Sequence, residues 1–162
     1  MRKWVVNASP LITLAKIGQG SLLFQLCDEL VIPEGVAEEI DRSPEENDPA
    51  KVWIRSHGME YVRNAGPVPP VIAGWDLGLG ESQVLAWASG HTGYEAILDD
   101  RAARNCALSL GIKVCGTIGI IILAKREQKI MSAASVLDLL QQAGFRIDPV
   151  LIHKAKRLAG EG

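Results

Sequence analysis

The feature that most restricts what this chain can fold into is an apolar run that ends on charge: Ala96-Ile97-Leu98, then Asp99-Asp100, then Arg101-Ala102-Ala103-Arg104. The run has the length of a buried strand, and a helical pattern starts directly after the two carboxylates. In an open α/β sheet the crevice outside the carboxyl ends of the strands is where ligands gather, so this spacing places Asp99 and Asp100 in such a crevice. Arg101 and Arg104 follow one helical turn apart, able to answer the acids or meet a phosphate. A plainer role competes for each aspartate, because Asp is a common N-cap and one of the pair suffices to cap a helix over 102–110.

The same grammar recurs along the chain. Trp4-Val5-Val6 reads as a strand that delivers Asn7 to its tip, and Asn7-Ala8-Ser9-Pro10 reads as the start of a helix stopped by Gly18 and Gly20. A short helix over 21–26 precedes a strand at Leu30-Val31-Ile32. A helix then follows from Pro33 in which Glu38 and Glu39 lie on faces about 100° apart, so only one can point where Asn7 points. A helix over 50–56 and a strand over 59–62 come next. Residues 64–80, with three prolines and four glycines, read as a long surface loop. The loop leads into a helix whose first turn carries Glu81, where a carboxylate also favours the helix dipole. Beyond the central strand the pattern gives a strand over 112–115, a helix from Gly116-Thr117-Ile118-Gly119 through Lys129, and two closing helices over 132–143 and 149–159. Short apolar strands alternating with helices predict a three-layer α/β/α sandwich with a mainly parallel central sheet.

At 162 residues the chain suits one domain spanning 1–162, with a core over about 4–130 and the helices of 132–159 added to it. Leu137, Leu140, Val150, Leu151 and Leu158 either pack back on that core or form a dimer surface. The composition, 48% hydrophobic and 22% charged, excludes a disordered chain. No apolar run reaches the roughly 20 residues a bilayer span needs, and the N-terminus lacks the apolar core of a signal peptide, which predicts a cytoplasmic protein with no membrane partner. Cys27, Cys106 and Cys115 are widely spaced with no metal-binding pattern, as expected of reduced core thiols. A net charge of −2 excludes a protein that coats nucleic acid by bulk charge, so any such contact needs a local patch. Lys125, Arg126 and Lys129, with Lys154, Lys156 and Arg157, are candidates for one. Trp75 is a candidate for stacking on a base.

Asn7, one of Glu38 and Glu39, Glu81, Asp99 and Asp100 therefore collect at strand tips and helix starts. Converging carboxylates repel one another unless a cation compensates. Hard divalent ions prefer oxygen ligands and serve phosphoryl chemistry, so Mg²⁺ or Mn²⁺ is the expected cofactor. No glycine-rich phosphate loop of the P-loop or dinucleotide type is present.

In the order and spacing of these residues the chain resembles the PIN-domain family, metal-dependent nucleases that include the VapC-type toxins of toxin–antitoxin pairs. Val5-Val6-Asn7-Ala8-Ser9-Pro10-Leu11 is similar to the family's first motif, the segment 33–40 to its second, Gly80-Glu81 to its third and Leu98-Asp99-Asp100-Arg101 to its fourth. Gly116-Thr117-Ile118-Gly119 further resembles a subgroup described as predicted nucleic-acid-binding proteins. The resemblance implies that Asn7, Glu39, Glu81 and Asp100 line a catalytic metal site, with Asp99 as a further ligand. It prefers Glu39 over Glu38 because Glu39 directly precedes the aliphatic Ile40. Ser9 and Thr117 would support the ligands, and Arg101, Arg104, Lys125 and Arg126 would contact nucleic acid. The implied function is an endoribonuclease, the toxin of an antitoxin pair, with RNA, a small antitoxin protein and a second copy of the chain as partners. Asn7 stands where most active members carry Asp. An amide oxygen can ligate Mg²⁺ but brings no charge, so the other reading is a weakly active or inactive module that binds nucleic acid or a protein.

Overall fold

The computed structural model describes residues 1–162. The chain runs β1 (Lys3–Val6), α1 (Ala8–Lys16), α2 (Leu22–Gln25), β2 (Glu29–Pro33), α3 (Glu34–Asp41), α4 (Pro49–Trp53), β3 (Val62–Arg63), α5 (Pro70–Ala73), α6 (Leu79–Gly90), β4 (Tyr94–Ile97), α7 (Arg101–Ser109), β5 (Val114–Cys115), α8 (Thr117–Arg126), α9 (Ala133–Gln142) and α10 (Pro149–Leu158). The five strands form one all-parallel sheet in the order β3-β2-β1-β4-β5. This is the expected three-layer α/β/α architecture.

Strand order decides where a site can form. The chain walks outward from β1 through β2 to β3, then returns to pair β4 on the other side of β1, with Val6 opposite Ile97. The direction of winding therefore reverses between β1 and β4, and the helices that follow these two strands leave a crevice at their carboxyl ends. The Asn7 N–H donates to the Ile97 carbonyl at 3.1 Å and holds the two tips together.

Burial explains why the strands are so short and apolar. Trp4, Val5, Val6, Ala96, Ile97 and Leu98 are fully buried, covered by helices on both faces of the sheet. They belong to a main core of 31 buried residues. A second cluster of eight, Ile121, Ala133, Val136, Leu137, Leu140, Ile147, Ala155 and Ala159, joins α8, α9 and α10. The C-terminal helices are divided between buried and exposed apolar residues. Leu137 and Leu140 pack inward, whereas Val150, Leu151 and Leu158 remain exposed.

Several element bounds differ from the sequence reading, each for a local reason. Residues 59–61 are a tight helical turn, and the strand is only Val62–Arg63, because it is an edge strand with two residues in register with Ile32 and Pro33. The helix expected over 50–56 is α4 followed by a wider π-helical turn, Ile54–Gly58. Asp48 caps α4 by accepting from the Ala50 N–H at 3.0 Å. The proline- and glycine-rich segment 64–80 contains the short α5, which Pro70 starts, and Ile72 anchors it in the core. The strand expected over 112–115 is paired only at Val114 and Cys115. The helix expected through Lys129 stops at Arg126, where Gln128 adopts a left-handed φ of 59°. No helix is long and apolar enough to cross a membrane.

Candidate active site

Four elements meet at the switch point. From β1 comes Asn7, only 5% exposed, whose side chain makes no capping bond to α1 although it occupies the N-cap position. From α6 comes Glu81, half-buried in the first turn. From α3 comes Glu39, and from the end of β4 come Asp99 and Asp100.

Close packing of α3 on α6 brings these groups together. The Gly35 N–H donates to Gln83 Oε1 at 2.7 Å, and a Cβ at Gly35 would meet that amide oxygen at 2.6 Å. A Cβ at Gly80 would stand 3.3 Å from both Asn7 Oδ1 and Val36 Cγ2. Two side-chain-free positions therefore let the first turn of α6 settle against α3 and the β1 tip, which carries Glu81 to Asn7.

The electrostatics record the convergence. Burial lifts the Glu81 carboxyl above its ordinary range, and the nearby Asp100 carboxylate adds to the shift, as does Glu39. The Gly78 N–H and the Asn7 amide pull part of it back. The Gly78 contact is the reach of a third-position Glu to the N-cap N–H at the start of a helix. All four ion pairs of the molecule lie elsewhere. No Lys or Arg neutralises this cluster.

The two aspartates separate in role. Asp100 caps α7, its Oδ2 accepting from the Ala103 N–H at 2.9 Å, so the plain reading holds for this residue. Asp99 instead accepts from the Thr117 N–H at 2.8 Å and the Thr117 hydroxyl at 2.6 Å, which ties β4 to the start of α8. Thr117 is fully buried. Gly116 makes this possible, because a Cβ there would lie 2.8 Å from both Asp99 Oδ1 and Arg104 Nη1.

Asn7 and Glu81 thus lie at the switch point, Asp100 and Glu39 act on Glu81 through their charge, and Asp99 is fastened to Thr117. Ser9 is exposed in the first turn of α1. Arg104 donates to the Leu98 carbonyl at 3.1 Å, beside the cluster, while Arg101 is exposed. Lys125 and Arg126, expected at a nucleic-acid rim, are bound within the chain: Lys125 pairs with Glu161 Oε2 at 3.0 Å, and Arg126 Nε donates to the Leu158 carbonyl at 3.0 Å. Sequence reasoning had no signal for Gln83 or for the Glu161 clamp, since both act on backbone groups far away in sequence.

The candidate donors are all oxygen: the Asn7 amide and the carboxylates of Glu39, Glu81 and Asp100. Their chemistry fits a hard divalent cation. No three of the His, Cys, Asp or Glu side chains stand close enough to enclose an ion by themselves, so Asn7 and bound water would have to complete any such set. The cysteines do not contribute. Burial pushes the Cys27 and Cys115 thiols up to about 12 and raises Cys106, which keeps all three protonated.

A five-stranded parallel sheet with helices on both faces and carboxylates at its switch point defines an α/β domain of the doubly wound kind. The chain belongs to the PIN-domain family: the family model described as a PIN domain matches residues 3–161, from β1 through the end of α10. PIN domains have a nuclease-type fold and generally act on nucleic acids. Comparison with curated proteins and with solved structures returned no match.

Proposed function

We propose that this PIN domain is a Mg²⁺- or Mn²⁺-dependent endoribonuclease, the toxin of a toxin–antitoxin pair acting in the cytoplasm. The observation that carries the proposal is the half-buried Glu81 carboxyl, raised by burial and by Asp100 and Glu39, beside the buried Asn7 at the β1–β4 switch point. Perturbed carboxyls in a cleft are where catalytic machinery concentrates.

Asn7, Glu81 and Asp100 would hold the ion, with Glu39 at the margin of the set and Asp99, whose oxygens also accept from Thr117, as a further ligand. When bound there, a divalent ion would supply the positive charge and the water activation that phosphodiester hydrolysis needs. The chain's own groups set the rest. The Asn7 amide orients Glu81 and adds no charge of its own. Asp100 carries one oxygen committed to α7 and one free. Asp99, locked by Thr117, fixes the angle at which the β4 tip meets the crevice. Glu81, half-buried in the first turn of α6, is the carboxylate proposed to accept a proton from water. A small antitoxin protein and a second copy of the chain are the proposed protein partners.

The test is cleavage of a labelled RNA pool by the purified chain with Mn²⁺, Mg²⁺ or EDTA. Metal-dependent cutting that Asp100→Asn or Glu81→Gln lowers by 100-fold or more supports the nuclease, a loss of the size expected for removing a positioned acid–base group, about 10²–10⁴-fold. The second reading, a domain whose hydrolytic step is weak, is favoured by one observation: the first ligand position is a neutral amide. In that case the native chain binds RNA without cutting it, and Asn7→Asp restores cutting.

A further inference from the structure

Of the chain's four Trp, two Tyr and two Phe, three residues gather at the β3 edge of the sheet: Phe24 from α2, Trp53 from the end of α4 and Tyr61 from the turn before β3. Phe24 stacks on both of the others, with ring centroids 6.2 Å from Trp53 and 6.3 Å from Tyr61 and interplanar angles of 21° and 19°. His57 joins them at a tilt, 6.1 Å from Phe24 and from Trp53. The indole is buried, whereas Phe24 and Tyr61 are half-buried and His57 is exposed. A core tryptophan therefore supports rings that reach the surface.

The local backbone is built to present them. His57 lies in the π-helical turn Ile54–Gly58, whose extra residue widens the helix, a device frequent at functional sites. A Cβ at Gly58 would stand 3.0 Å from Trp53 Cζ3 and 3.2 Å from Ile54 Cδ1, so the glycine lets this turn sit directly on the indole.

A cavity of about 340 Å³ opens over Phe24, with His57, Tyr61, Glu60, Arg55 and Met59 around it. That is the small end of the roughly 300–1,000 Å³ range of ligand pockets, room for one small group. Two charged side chains line it. Arg55 is drawn to Glu46 Oε2 at 2.9 Å, while Glu60 belongs to no ion pair. The uncompensated charge of the lining is thus negative, and aromatic faces carry negative potential as well. An anion is repelled on both counts. Rings also offer few acceptors, which disfavours a cation that must keep its N–H groups hydrogen-bonded. A methylated ammonium has lost those N–H groups and spreads its charge over methyls that pack on ring faces.

We propose that this cavity binds a methylated ammonium group, with Phe24, His57 and Tyr61 against the methyls and Glu60 answering the charge. A free small molecule such as choline and a methylated lysine of a partner protein share this chemistry. The site lies beyond β2 from the β1–β4 switch point and does not depend on the nuclease reading.

The test is titration of the isotope-labelled chain with choline, followed by amide chemical shifts. Saturable shifts are expected at Phe24 and across residues 54–61. The uncharged isostere of choline, with carbon in place of nitrogen, should bind at least tenfold more weakly. Tyr61→Leu is expected to cost about five- to tenfold in affinity and Tyr61→Phe to bind as the native chain does. Glu60→Gln, at an exposed position that leaves folding untouched, should cost about threefold. Equal binding of the isostere overturns the proposal, since the cavity would then be an apolar hole. So does an absence of saturable shifts, or native-like binding by both Tyr61→Leu and Glu60→Gln. A short peptide carrying trimethyllysine separates the sources: tighter binding of the peptide than of choline supports the site as a protein reader, and the reverse supports it as a small-molecule site.

Discussion

At the scale of single residues, Asn7 and Thr117 decide what the acidic crevice can do. A carboxylate at position 7 would be buried beside Glu81 with no cation from the protein to relieve it. Asn7→Asp should therefore lower the Tm of the metal-free chain, by about 1–3 kcal/mol in stability. It should also raise the affinity for Mn²⁺ by at least tenfold, since a charged ligand replaces a neutral one. Calorimetric titration and thermal melts with and without Mn²⁺ check both. A drop in stability with no gain in metal affinity would show that Asn7 is a packing residue. Thr117→Val keeps the shape of a fully buried side chain and removes the 2.6 Å hydroxyl bond to Asp99. The expected loss is about 2 kcal/mol, seen as a fall in Tm of roughly 5 °C, with Thr117→Ser close to native.

Among the elements, the attachment of the C-terminal segment is the one most open to test. Glu161 accepts from the Ala133 and Ala134 N–H groups at 2.7 and 3.0 Å, at the start of α9, and pairs with Lys125 on α8. The two backbone N–H groups at the helix N-terminus, then Lys125, hold its carboxyl down to about 2. In the unfolded chain the same group titrates near 4.3. The stabilisation is thus complete above about pH 4.5 and is lost as the pH falls toward 2. Glu161→Gln should melt below the native chain at pH 6, and the gap should close by pH 2 to 2.5. A gap of constant size across that range would show that the clamp is not carried by the charge.

For the whole molecule, the division into a core of 31 residues and a cluster of eight predicts unequal local stability. Amides of β1, β2 and β4 should exchange only through global unfolding, whereas α9 and α10 should open first as a unit. Hydrogen exchange followed by mass spectrometry reads this directly. Leu137→Ala, at a fully buried position of the smaller cluster, should cost about 2–5 kcal/mol and speed exchange in α9 and α10 while leaving β1 protected. Equal acceleration everywhere would mean that the C-terminal helices unfold together with the sheet.

Much of this was legible in the sequence, because it depends on local patterning. The apolar runs at 4–6, 30–32 and 96–98 gave a parallel sheet, and the capping residues Ser132 and Asp148 gave the starts of α9 and α10. The places of Asn7, Glu39, Glu81 and Asp100 were legible because each sits at a strand tip or in a helix whose periodicity is plain. The sequence could not tell which aspartate caps and which is tied down, since both stand at equivalent distances from the helix they precede. Only the arrival of Thr117, 18 residues on, gives Asp99 its partner and leaves Asp100 to α7. Nor could it show that Lys125 and Arg126 are taken up by the C-terminal segment, or that Phe24, His57 and Tyr61 come to stand around one cavity. Hydrophobic period and helix caps act over a few residues and fix elements. Hydrogen bonds and charge pairs between distant segments depend on how those elements pack, and here packing decided which of the chain's polar groups were left free for chemistry.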